Sequence, residues 1–301
     1  MNELLGNIVN FIAGPAALFI LGGAYVSLVV GERIFAWVKG RYYDDADARC
    51  GVALNLTNSF FNLFLGLIFP FIAYVYVWEN FRIFDSLPIW LGLVIAFLWH
   101  DLMYYVAHFI SHRVGLVWAL HSVHHASNEF NHSVAARGTI LDGLIDVPYH
   151  LPAALLGVPP VSYGAVTICK QIFGMWNHAS YVGHLGRLEN WLCTPMNHKI
   201  HHANQPEYID RNYGQVLLIW DRLFGTHAPL GAEPIPGLVK PIENTNPLKA
   251  QITGIAWLAA RVRSADRWQD KLAYLWRPPE WSHDGVCRSD CPKYGPNVQL
   301  A

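Results

Sequence analysis

Residues 11–30, FIAGPAALFILGGAYVSLVV, hold no charged side chain over a length that lets a helix cross about 30 Å of hydrocarbon. A chain that opens this way is constrained from the start, because backbone amides in lipid must be satisfied inside the segment itself. Helices are therefore expected. Two further apolar runs follow, about 58–78 and about 88–110, and the third carries His100 and Asp101 inside it. A fourth, about 141–176, is interrupted by Pro148, Pro152, Pro159 and Pro160 and reads as a helical hairpin. The expected fold is all-α: a polytopic membrane bundle of about four spans or hairpin helices, with a cytosolic helical cap.

Composition agrees, with 53% hydrophobic residues and only 14% charged. The loop after the first run holds Arg33, Lys39, Arg41 and Arg49, whereas the loop after the second holds Arg82 alone, so the first loop is assigned to the cytoplasm. Thirteen of the 21 Lys and Arg residues lie in 177–301, which puts that segment on the same side. No basic footprint for nucleic acid is visible. Glu3, with no cation before it, argues against a cleaved signal peptide. Residues 251–276 read equally as an interfacial helix or as one packed on the cytosolic part. The five cysteines are an odd number without a disulfide framework, and Cys287 and Cys291, near His283, carry no assigned role.

The chemistry lies in the 15 histidines, most of them clustered. His100, Tyr104, His108 and His112 recur every four residues and share a helix face. His121-Ser-Val-His124-His125 and His198-Lys-Ile-His201-His202 repeat one H-x-x-H-H spacing, which on a helix presents imidazoles to two neighbouring ions. His178, in WNHAS, follows an apolar helix and leads toward the last cluster. So many imidazoles exceed the four ligands of a structural zinc site, but imidazole suits Zn, Cu, Fe and Ni alike and does not name the ion. The chain has no G-x-G-x-x-G, no phosphate-binding loop and no C-x-x-C-H, so electrons for any redox reaction must come from outside.

With these clusters, the runs Asn131-x-Ser133-x-x-x-Arg137, Gly186-x-Leu188-Glu189, Thr194-Pro195, Asp210-x-Asn212-Tyr213-Gly214 and Trp220-Asp221-x-Leu223-Phe224-Gly225-Thr226 resemble the sterol desaturase and fatty acid hydroxylase superfamily, over about residues 95–227. Within it the chain looks most like the alkylglycerol monooxygenase-like branch, which includes bacterial enzymes that hydroxylate ornithine lipids. The resemblance implies two Fe2+ ions held by His108, His112, His121, His124, His125, His178, His198, His201 and His202. It also implies O2 as oxidant, a lipid as substrate and a separate reductase as electron donor. The expected location is a bacterial inner membrane, with the active site facing the cytoplasm. Three units follow: transmembrane helices in 1–94, the di-iron domain in 95–227 and a cytosolic extension in 228–301.

Around the ligands, Asp101, Asn131, Glu189 and Asp221 are read as groups that orient imidazoles, each with an ordinary alternative as a helix cap or solvated acid. His100 is grouped with them as an orienting residue or extra ligand, and His184 is a tenth ligand, an orienting group or a surface side chain. Asp142, Asp146 and His150 form a four-residue stripe in the apolar hairpin, read either as a substrate entrance or as a hairpin end wetted by the interface. Two other activities stay open: desaturation on the same centre, and metal binding or transport by a histidine-rich membrane protein.

Overall fold

The computed structural model describes residues 15–62, 69–242 and 245–285, so the Cys287 and Cys291 tail and residue Glu3 lie outside the described residues. Eleven α-helices are named here: α1 (Pro15–Val38), α2 (Asp45–Asn62), α3 (Phe69–Phe81), α4 (Ile89–Arg113), α5 (Gly115–His125), α6 (Asp142–Leu155), α7 (Pro160–Trp176), α8 (Pro195–His201), α9 (Ile219–Phe224), α10 (Pro247–Ser264) and α11 (Trp268–Trp276). The fold is all-helical, and the described residues contain isolated bridges at Leu192–Leu217 and Ala203–Pro236 in place of a sheet.

Among the described residues, Phe19–Val38 and Ile89–Arg113 are the two helices long and apolar enough to cross a membrane. Only 17% and 28% of their apolar windows are buried, so most of that surface faces outward and is not the core of a water-soluble protein. The expected run 58–78 falls on the end of α2, the undescribed residues 63–68 and most of α3. The proline-broken segment is a hairpin, as expected. Pro148 and Pro152 sit inside α6, Pro160 starts α7, and Gly157 takes φ +80° in the turn between them. That turn is bonded to the loop before α4, through Ile83 N–H to the Leu155 carbonyl at 2.8 Å and Leu87 N–H to the Gly157 carbonyl at 3.1 Å. The hairpin's turn thus lies beside the start of α4, and the far end of α7 leads to His178, whose ring lies 4.4 Å from that of His198.

The core divides accordingly. Tyr74, Ala96, Ala154, Val158 and Tyr163 join α3, α4, α6 and α7. A second layer is centred on α5, with Val123 packed on Cys50, Leu54 and Ala250, and Ala119 on Leu258 and Tyr274. The stretch after the first apolar run, read from sequence as a loop, contains α2. Asp47 ties that helix down through the Ser127 hydroxyl and the Arg137 guanidinium, residues 80 and 90 positions away. The region 251–276 is two helices, and α10 packs on α5 so closely that a Cβ at Gly254 would lie 1.9 Å from the Ala119 carbonyl oxygen.

Candidate metal centre

Four segments deliver the imidazoles. His108 and His112 lie one turn apart near the end of α4, and the chain turns at Val114 directly into α5 with His121, His124 and His125. His178 follows α7. The last trio is set by α8, where Pro195 starts the helix and the Thr194 side chain accepts from Asn197 N–H.

The nine imidazoles converge in two groups: His108, His112, His121, His125 and His201, and His124, His178, His198 and His202, with the ligand atoms of each group within 4.8 Å of one another. The groups share a wall, since the rings of His125 and His202 are 4.5 Å apart. Each H-x-x-H-H run is thus split, its members alternating between the groups.

In the first group, Nε2 of His125 lies 3.1 Å from Nε2 of His112, 3.2 Å from that of His121 and 3.2 Å from that of His201. A neutral imidazole offers one N–H and one lone pair, so one nitrogen cannot hydrogen-bond three such neighbours. A cation among them resolves the conflict. Two nitrogens each about 2.1 Å from an ion, at about 90–109° to one another, are separated by about 3.0–3.4 Å, the spacing found here. In the second group His178 Nε2 and His198 Nε2 are 3.1 Å apart. The buried atoms His108 Nε2 and His202 Nε2 have no hydrogen-bond partner, as expected of lone pairs kept for a metal.

The opposite ring edges are held. His108 Nδ1–H donates to the Tyr213 carbonyl at 2.9 Å, His201 Nδ1–H to Arg211 at 2.8 Å, His124 Nδ1–H to Arg137 at 3.2 Å and His178 Nδ1–H to Gly174 at 2.9 Å. This fixes the tautomer that leaves Nε2 free inward. Nδ1 of His112 lies 3.3 Å from the Asp210 carboxylate. One short loop, 210–213, therefore holds three of the five imidazoles of the first group. Its shape requires Asp210 and Asn212 at φ 62° and 55°, a region that Asp and Asn enter more readily than most residues. Burial keeps His124, His125, His198, His201 and His202 well below the ordinary imidazole pKa, and His178 at about 3, so these rings are neutral and able to coordinate.

The surrounding acids are placed more selectively. Asp221 accepts from Tyr213 N–H at 2.7 Å and Gly214 N–H at 2.9 Å, one residue removed from His108 through the Tyr213 carbonyl. Glu189 accepts from Leu185 N–H, the Thr194 hydroxyl and the Asn197 amide, which anchors the start of α8. Asp101 does not orient an imidazole: it accepts from Lys170 at 2.7 Å, from Val216 and Leu217 N–H and from the Trp220 indole, fastening α4 to α7 and to the segment before α9. Asn131 closes its own turn by accepting from Ser133. His100 belongs to neither group, its ring lying 5.2 Å from that of His150 within the helical bundle. His150 pairs with the Tyr163 hydroxyl, while the side chains of Asp142 and Asp146 lie outside the described residues. His184 is exposed and accepts from Gly186 N–H at 3.0 Å, so the surface reading applies to it.

Three contributors had no role assigned from sequence. Asp210 and Arg137 each sat in a recognised motif, and their functions emerge only from the contacts with His112 and His124. Glu32, a buried acid within α1, accepts from His132 N–H at 2.6 Å and Ser180 N–H at 2.8 Å, tying the loops on both sides of the second group to α1. Its signal was a lone carboxylate in an apolar helix.

A bundle of apolar helices thus closes at one end on two adjoining imidazole groups that could each hold a metal ion. A sequence model of the Fatty acid hydroxylase family matches residues 93–226. Human alkylglycerol monooxygenase is 32% identical over 267 residues, covering 85% of this chain and 58% of that protein. The ornithine lipid hydroxylase OlsE of Rhizobium tropici is 34% identical over 144 residues, 46% of this chain and 41% of that one. The Delta(7)-sterol 5(6)-desaturase ERG3B of Gibberella zeae is 28% identical over 147 residues, 47% of this chain and 44% of that one. No solved structure matches. The chain spans a little over half the length of the alkylglycerol monooxygenase it matches; its residues 93–226 match the fatty acid hydroxylase domain, and its histidine groups fit a non-haem iron site.

Proposed function

We propose that the protein is an O2-dependent hydroxylase of a lipid C–H bond, using two Fe2+ ions held by the nine histidines. The observation that carries this reading is the pair of adjoining imidazole groups with inward lone pairs. The names of the relatives support lipid as the substrate class. The net reaction is RH + O2 + 2 e⁻ + 2 H⁺ → ROH + H2O, with the two electrons supplied by a separate reductase. Bound iron supplies the redox chemistry that activates O2. The chain's own residues do the rest. The carbonyls of Tyr213, Arg211, Arg137 and Gly174 orient the rings, and Phe130, 5.5 Å from both His178 and His202, keeps water from the second group.

In this reading residues 95–227 are the catalytic unit, 1–94 supply membrane helices and 228–301 extend the cytosolic part. The protein is multi-pass, with its active site facing the cytoplasm of a bacterial inner membrane. Asp142, Asp146 and His150 flank the lipid's entrance. Desaturation on the same centre is the second reading, favoured by the sterol desaturase relative. The position of both groups at one end of the bundle, rather than along a path through it, favours an enzyme over a transporter.

The test is metal analysis of purified protein together with lipid-dependent O2 uptake, and lipid profiling of cells with and without the gene. Tightly held iron at about two ions per chain and a lipid heavier by one oxygen support the proposal. A product lacking two hydrogens transfers it to desaturation. Exchangeable metal without turnover overturns it.

A further inference from the structure

Helices α10 and α11 have two apolar sides, and the fold uses one. Ala250, Gly254 and Leu258 face α5 and are buried. On the other side stand Leu248, Ile252 and Ile255 of α10, exposed by 79%, 60% and 42%, and Trp268, Leu272 and Trp276 of α11, exposed by 65%, 50% and 58%. Steps of three or four residues put each trio on one stripe of its helix. Exposed apolar surface of this extent marks a contact with something other than water.

Charge indicates what that is. Between Pro247 and Arg277 the chain carries Lys249, Arg261, Arg263, Arg267, Lys271 and Arg277 against Asp266 and Asp270. Arg261 is buried and Arg267 pairs with Asp270 at 3.8 Å, which leaves Lys249, Arg263, Lys271 and Arg277 as the cations along this stretch. The Arg277 guanidinium lies over the Trp276 ring at 4.5 Å, an aromatic–cation pair of the kind that sits at headgroup level. Position gives an independent argument. Gly115 N–H donates to the Arg277 carbonyl at 2.9 Å, and Arg113 reaches Glu280 at 3.6 Å, so the end of α11 is fastened to the end of α4. Since α4 is long and apolar enough to cross a bilayer, the stripe begins where a spanning helix leaves the lipid.

We infer that α10 and α11 lie in the plane of a bilayer containing anionic lipids, their exposed stripes among the acyl chains and their cations at the phosphates. The inference rests on the membrane reading of α1 and α4. Because α5 packs on the opposite side of the pair and carries His121, His124 and His125, the pair sets the depth at which the imidazoles stand relative to the lipid.

Photo-crosslinking of the full chain in proteoliposomes tests this. A benzophenone-bearing residue is placed singly at Ile252 or Leu272, at exposed Glu207 as an aqueous control and at Val26 of α1 as a membrane control, with alkyne-tagged phosphatidylglycerol or phosphatidylcholine in the bilayer. Lipid adducts are expected at Ile252, Leu272 and Val26, several-fold above those at Glu207, and at the first two positions several-fold stronger with phosphatidylglycerol. Adducts at Val26 without adducts at Ile252 and Leu272 overturn the inference alone, whereas loss at Val26 as well overturns the membrane reading beneath it. Crosslinks from Ile252 or Leu272 to a second protein chain overturn it in favour of a dimer. Equal labelling by the two lipids overturns the anionic preference.

Discussion

The Asp210 carboxylate lies 3.3 Å from Nδ1 of His112, and the far nitrogen of that ring lies 3.1 Å from Nε2 of His125. Asp210 therefore acts on the first imidazole group through a ring it orients. Asp210→Asn should lower metal affinity or activity roughly 10–100-fold, with the loss confined to the first group. Metal titration followed by spectroscopy of the bound ion measures it, and unchanged affinity and spectrum would show that the contact is structural only.

Removal of ligands should separate the two groups. His201→Ala depletes the first group and His124→Ala the second, so each single variant should retain about half of the metal and no turnover, and the double variant neither. Full metal occupancy and turnover in the double variant would dismiss the two-ion assignment.

Acid should destabilise the metal-free protein. His178 is held at about 3 against an ordinary 6.5, and five other imidazoles are also lowered by burial. As pH falls through 6.5 the unfolded chain takes up protons that the folded chain refuses. Stability is thus complete above about 6.5 and declines steadily toward about 3, at up to roughly 1.4 kcal/mol per pH unit for each such ring. A thermal scan of the metal-free protein at pH 7.5 and pH 5.5 should show a clear drop in Tm, and a flat profile would contradict burial of the neutral rings.

Gly254→Ala gains about 1 kcal/mol of helix propensity, but the new methyl meets the Ala119 carbonyl oxygen, a backbone atom that cannot swing aside. Overpacking of this kind costs about 1–3 kcal/mol, so Tm and metal retention should both fall. Gly31→Ala, in a helical position with open space, is the control and should leave both unchanged or raised.

Topology follows from the charge pattern. Reporter tags at Asp45 and at the C-terminus should both read cytoplasmic, and one beside Asp85 the opposite side; an extracytoplasmic C-terminus would reject the proposed span count.

The sequence pattern disclosed which imidazoles could converge because helical spacing is local: His108 and His112, or the members of an H-x-x-H-H run, share or adjoin a face whatever surrounds them. How the nine divide was not legible. His124 and His125 are neighbours in sequence and fall in different groups because α8 and the end of α7 approach α5 from different sides. Helix α2 was missed for a related reason. Its first turn is polar, and Asp47 is fixed by partners 80 and 90 residues away. Asp101 is a buried acid in an apolar helix, which demands donors without the sequence saying which; they are Lys170, Val216, Leu217 and Trp220 rather than an imidazole.

The alternation of the two groups along α5 and α8 also bears on how such a centre changes over time. Inserting one residue between His121 and His124 would turn everything after it by about 100°, carrying His124 and His125 out of both groups at once. The same holds between His198 and His201. A change in chain length inside either run therefore strikes both halves of the centre together, whereas a point substitution reaches one, so the spacing of each run is inherited as a single unit even where individual side chains are free to be retuned.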